Sequence, residues 1–156
     1  MTQRRKQSKH GTGGTVMREI LFRGKRIDNG EWLVSGTLLQ NSDDERFCWM
    51  PVYGDKFGTA EDDKGNILRM EYETLYRVDP ETVSQYTGKV VKTGKVFDGD
   101  IGKSIDGIFL VCWDDEKAAF VMRFNEYPYE TLYLEEMWDD AEIIGNIHDN
   151  PELLEV

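Results

Sequence analysis

Cysteine, histidine and proline are all scarce in this chain, and each scarcity removes a class of chemistry. Two cysteines in 156 residues, Cys48 and Cys112, stand far apart with no CxxC and no histidine spacing around them. That pattern excludes a zinc ribbon or a thioredoxin-type redox motif and favours two free buried thiols, as in a reducing cytoplasm, over the alternative of a single disulfide. Of the two histidines, His10 lies in a basic N-terminal tail, which leaves His148 alone in the body. A metal centre needs several ligands at fixed spacing, and no such set is present. No cofactor motif appears either: Gly94-Lys95 is too short for a phosphate loop, and there is no GxSxG. The longest apolar run, Ile108 to Trp113, is far short of a membrane span, and no apolar segment follows the N-terminal charges as in a signal peptide.

Positive charge is scarce as well. The formal charge is −11, and residues 1–16 hold Arg4, Arg5, Lys6 and Lys9 without any acid, which leaves −15 on the rest. Such a body repels phosphate backbones and anionic bilayers, so the expected partners include neither nucleic acid nor membrane. Basic proteins are electrostatically favoured, and a second copy of the chain is the other candidate. The tail itself, MTQRRKQSKHGTGGTV, has almost nothing to bury and is expected to be disordered, with Met17 as the natural start.

What the chain does contain is short β-branched and aromatic runs separated by turn residues. The organising stretch is Ser84 to Lys103, where Val90-Val91, Val96-Phe97 and Ile101 suit short strands. Thr87-Gly88, Thr93-Gly94 and Asp98-Gly99-Asp100 punctuate them, and glycine reaches positive φ without a Cβ clash. Gly88, Gly94, Gly99 and Asp100 are therefore expected to be turn residues, with each stop reversing the chain. Asp28-Asn29-Gly30 is the strongest hairpin signal, joining a strand from Arg18 to one over Glu31–Gln40. Arg46–Tyr53 is expected as a strand with Pro51 at an edge or bulge. Gly54–Asn66 is expected as a solvated tip, whose acids lack calcium-loop spacing. Ile67–Val78 follows as a strand, unbroken or interrupted near Glu73. Asp79-Pro80 caps a helical turn, and Asn150-Pro151 caps a final one. Ile105–Trp113 and Ala118–Phe124 flank the charged turn 114–117 as a central hairpin, and Ala141–Ile147 is the closing strand. Thr131–Trp138 fits strand or helical turns. The expected class is mainly β, with a small antiparallel barrel and a few short helices. The expected division is tail 1–16, an N-terminal β-hairpin region 17–79, and a barrel over 80–156.

Three segments together carry a family resemblance. Gln85-Tyr86-Thr87-Gly88, Gly94-Lys95 and Gly99-Asp100-Ile101 form the first, Glu142 to Leu154 (EIIGNIHDNPELL) the second, and Met17 to Gly24 (MREILFRG) the third. In their order and spacing they resemble the YopX-like family, small proteins encoded by bacteriophages and prophages. The chain departs from that pattern at Val91 and Thr93, where many members carry an acid and an Asn. The resemblance implies an SH3-type β-barrel in the C-terminal half, a bacterial host cytoplasm, and no established activity.

Two sites follow from the residues. Turn capping is the favoured reading of Asp98 and Asp100; with His148 they would suit an acidic hydrolase if the fold gathers them. Tyr127, Tyr129, Tyr133 and Trp138 lie among Glu126, Glu130, Glu135 and Glu136 and suit a protein-binding face, since aromatic anchors dominate interface energy. Core or edge packing is their alternative. The functional expectation is a non-enzymatic binding or assembly protein; the alternatives are that hydrolase, or an acidic DNA mimic that captures a host protein.

Overall fold

The structure, a computed structural model, describes residues 18–40, 48–61, 64–65, 67–137 and 139–155. The tail, the loop expected at 41–45 and Trp138 fall outside the described residues. Strands dominate, in three antiparallel sheets. The first has the order β2-β1-β6-β7, built from β1 (Phe22–Lys25), β2 (Trp32–Ser35), β6 (Ser84–Val91) and β7 (Gly94–Phe97). The second is β3-β4-β5, with β3 (Leu39–Gln40), β4 (Cys48–Glu61) and β5 (Ile67–Val78). The third, β11-β10-β9-β8-β12, comprises β8 (Asp100–Ser104), β9 (Gly107–Asp114), β10 (Ala119–Phe124), β11 (Thr131–Tyr133) and β12 (Glu142–Asn146), and curls into a half-barrel. β1 pairs with β6 at Phe22↔Gln85 and Arg23↔Ser84, so one sheet takes strands from both sides of residue 80.

Local chemistry explains most of the turns. Asn29 accepts the Glu31 N–H and Gly30 takes φ +72, closing the β1–β2 hairpin at Lys25↔Trp32. Asp79 accepts the Glu81 N–H at the head of the 3-10 helix Pro80–Thr82, and a second 3-10 helix spans Pro151–Leu154. Thr131–Tyr133 is a strand that passes directly into a 3-10 helix, Leu134–Glu136, so both fits to that segment apply to successive parts of it. Both cysteines are free; Cys48 is buried and Cys112 half-buried.

Three expectations need correction. Glu31–Gln40 is not one strand: β2 ends at Ser35, and Leu39–Gln40 joins a different sheet as β3. Gly54–Glu61 is not part of the tip: β4 continues to Glu61, pairs with an unbroken β5 down to Ile67, and absorbs its irregularity in a register shift between Tyr53 and Phe57, which leaves the exposed turn at Lys64-Gly65. The glycines and acids suggested a tip, but cross-strand pairing overrides local turn preference. Thr87-Gly88 is not a reversal either. β6 runs through it with a register shift between Tyr86 and Val90, where Gly88 takes φ +90 and the Thr87 hydroxyl donates to the Val96 carbonyl at 2.7 Å. This is a β-bulge, which bends the strand without ending it.

Two cores result. Val91, Val96, Phe109, Val111, Phe120, Met122 and Phe124 fill the half-barrel, capped by Leu134, Met137 and Ala141. Cys48, Met50 and Val78 form a smaller core beneath Phe22, Leu33, Leu38 and Val83. Asp98-Gly99 turns β7 into β8 between them, with Gly99 at φ +86 and the position of its missing Cβ 3.4 Å from Ile147 Cγ1. Gly99→Ala is therefore expected to cost about 1–2 kcal/mol, the penalty of a left-handed alanine. Urea unfolding should show a lower midpoint at unchanged slope, and an unchanged midpoint would remove the turn from the account.

Candidate functional site

The turn acids lead first to a buried ion pair. Asp100 is 2 % exposed; its Oδ2 accepts the Phe97 N–H at 2.8 Å and its Oδ1 meets the Arg23 guanidinium at 2.7 Å. Arg23 arrives from β1, donates from Nε to Ser84 Oγ at 3.0 Å, and stacks against the rings of Trp32 and Phe97, 4.9 and 4.8 Å from their centroids. Burial pushes the Asp100 carboxyl above its ordinary value, outweighing the pull of Arg23 and the Phe97 N–H. Both oxygens of Asp100 are engaged away from solvent, so this carboxylate holds the sheets together and has no access to a substrate.

His148 and Asp149 extend the same seam. The His148 ring lies 6.0 Å from that of Trp32. The Trp32 indole N–H donates to Asp149 at 2.7 Å, and Lys25 pairs with the same carboxylate. Those hydrogen bonds from Lys25 and Trp32 hold the Asp149 carboxyl at about 2. Asp98 is half-buried. Burial raises its carboxyl, against the pull of the Trp113 N–H, the Arg23 charge, the Gly99 N–H and His148. The structure thus gathers Asp98, Asp100 and His148 along one seam, together with Arg23, Lys25 and Trp32, which the sequence did not single out. Among the described residues no group of acids, histidines and cysteines is disposed to hold a metal ion.

The aromatic residues divide into two groups. Tyr127 and Tyr129 sit on the loop between β10 and β11, and Tyr129 is 99 % exposed. Tyr133 ends β11, 44 % exposed, and lines a groove of about 540 Å³ with Arg18, Thr87, Trp113, Phe120 and Glu135. Trp113 belongs to this surface. It is 45 % exposed, packs edge-on against Phe120 at 5.1 Å and donates its indole N–H to Asp115. The sequence hid it at the end of an apolar run. Period-two alternation from the buried Phe109 and Val111 puts it on the core-facing side, and its place near the end of β9 leaves it exposed.

A second cavity of about 410 Å³ adjoins the groove. Phe22, Leu38, Val83, Ser84, Gln85 and Asp98 line it, and Gln85 lines both spaces. No helix among the described residues is long and apolar enough to cross a membrane.

No curated protein matches the chain. A comparison with protein families matches residues 21–155, nearly the whole of it, to the YopX protein family. With the three segments that suggested it lying within or against that span, the chain belongs to the YopX protein family.

Proposed function

We propose that this protein works by binding another protein, through the face that carries Tyr129, Tyr133 and Trp113. The carrying observation is the exposure of these rings: Tyr133 and Trp113 stand half-exposed in the lining of an open groove, and Tyr129, on the loop that leads into β11, has nearly all its surface in water. Solvent-exposed aromatics with few rotatable bonds are suited to anchor an interface, and the acids around them supply its polar rim. The half-barrel with its crossing first sheet is the scaffold, of SH3 type in this proposal, in a phage or prophage protein of the bacterial host cytoplasm. The acidic-hydrolase alternative is weakened because Asp100 is spent on Arg23 and the Phe97 N–H.

A Tyr129→Ala/Tyr133→Ala variant should melt within about 0.5 kcal/mol of the parent, as expected for exposed positions. It should lose roughly tenfold or more in affinity, since truncated aromatic anchors cost about 2 kcal/mol each. Light scattering over a concentration series tells a second copy from a foreign partner. If the variant retains every association of the parent, the aromatic face is not the interface.

A further inference from the structure

Gln85 lines both cavities, so a chain lying in the groove beside Trp113 and Tyr133 has the smaller recess as a neighbour. Among the described residues that line this recess, Asp98 is the one acid; the others are apolar or neutral. The main-chain N–H groups of Trp113 and Gly99 lie against the Asp98 carboxylate and hold it in the turn. We infer that the recess around Asp98 receives a lysine or arginine side chain of the protein partner, making that partner a basic segment. This deepens the reading above and rests on it.

Charge counting supports a cation. Arg23 and Asp100 form a close pair that cancels, and Arg23 is further tied to Ser84 and stacked between two rings. Asp98 is then left as the uncompensated charge of the cluster. It is half withdrawn from water by the turn around it, and burial raises its carboxyl despite two N–H donors and Arg23. A neutral or apolar guest would strip more water from that carboxylate and return nothing. A guanidinium or ammonium group replaces the water with a charge-assisted hydrogen bond. Phe22, Leu38 and Val83 suit the methylene stem of a long basic side chain, whose body is apolar and whose tip is charged. The side-chain oxygens of Ser84 and Gln85 are further acceptors at the wall. The surplus of acids over bases, −11 overall, steers basic segments toward the protein at long range.

The probes are n-butylguanidinium and, as a neutral isostere, n-butylurea, titrated into the full chain and followed by amide NMR. The guanidinium should give saturable shifts concentrated at the main-chain amides of Gly99, Ser84, Gln85 and Trp113, at least tenfold tighter than the urea. Asp98→Asn keeps the shape and an oxygen for the Trp113 N–H, and it should abolish that preference while leaving the melting temperature near the parent's. Equal binding of the two probes to the parent protein overturns the inference without any variant. So does guanidinium binding that Asp98→Asn leaves intact. For any captured partner, association that depends on Tyr129 and Tyr133 but is untouched by Asp98→Asn sinks the cation pocket and leaves the aromatic interface standing. A guanidinium site that survives while Tyr129→Ala/Tyr133→Ala alters no association keeps the pocket and removes the interface reading.

Discussion

Replacing Gly102 by alanine is expected to destabilise the protein by about 3 kcal/mol, the upper end for overpacking a core. Gly102 pairs with Phe109 across β8 and β9, and the phenyl ring folds over the glycine. A methyl group there would lie 2.2 Å from Cζ, 2.4 Å from Cε2 and 2.9 Å from Cε1 of Phe109. The ring has little room to retreat. It is fully buried, packs against Phe124 at 5.4 Å and belongs to the cluster that fills the half-barrel. The glycine is therefore required by a neighbour's side chain and not by its own backbone, unlike Gly99. Denaturant unfolding of Gly102→Ala, Phe109→Leu and the double variant separates the two effects. Phe109→Leu alone removes buried surface. In the double variant the smaller side chain makes room for the methyl, so its loss should fall well below the sum of the single losses. Additive losses, or a Gly102→Ala variant within about 0.5 kcal/mol of the parent, would mean that the close approach is absent in solution.

Gly102 also marks where sequence stops being informative. The turns were legible because their causes are local: Asn29-Gly30, Asp79-Pro80 and Asp98-Gly99 each carry their own φ preference or cap. The strands around Ile108–Trp113 and Ala118–Phe124 were legible from β-rich runs on either side of a charged turn, and they pair from Phe109↔Phe124 to Asp114↔Ala119. Partnership between distant segments was not legible. Nothing near Phe22 announces that β1 lies beside β6, and the glycine and acids of Gly54–Glu61 mimic a loop although β5 keeps them in a strand. The candidate site divides in the same way. Tyr129 and Tyr133 could be picked out from composition, because exposed aromatics among acids form a local pattern. Trp113 was concealed by the apolar residues before it, and Arg23 by an alternating strand that fixes its face but not its partner. Asp100 was expected to be a turn residue. It does bond the turn at Phe97, and it also holds a cation from 77 positions upstream, a role that no local pattern encodes.

That cation supports the second large effect. Arg23→Met, which keeps a stem of similar length among Trp32 and Phe97, is expected to cost about 3–5 kcal/mol at neutral pH, as when one partner of a buried ion pair is removed. The loss comes chiefly from the carboxylate left behind, since Asp100 is 2 % exposed and would keep only the Phe97 N–H. A pH test distinguishes this from lost packing. Asp100 already has its carboxyl raised above 3.8 by burial, and removing Arg23 raises it further. For an acid whose folded value lies above its unfolded one, stability is fully present below the unfolded value and is lost as pH rises through the folded value. The gap between parent and Arg23→Met should therefore narrow as pH falls toward 4. Asp149 and Asp114, whose carboxyls are lowered, lose stability on acidification in both proteins and cancel in the difference. Asp100→Asn added to Arg23→Met should recover part of the loss at pH 7 and flatten its pH dependence. A constant gap from pH 7 to pH 4 would assign the effect to packing of the guanidinium between its rings. A gap under about 1 kcal/mol would reduce the pair to the worth of a surface salt bridge. The outcome bears on binding as well. Arg23 joins the first sheet to the Asp98–Asp100 turn, so a variant that folds without it should present the Asp98 recess with altered walls and a weaker preference for a cationic guest.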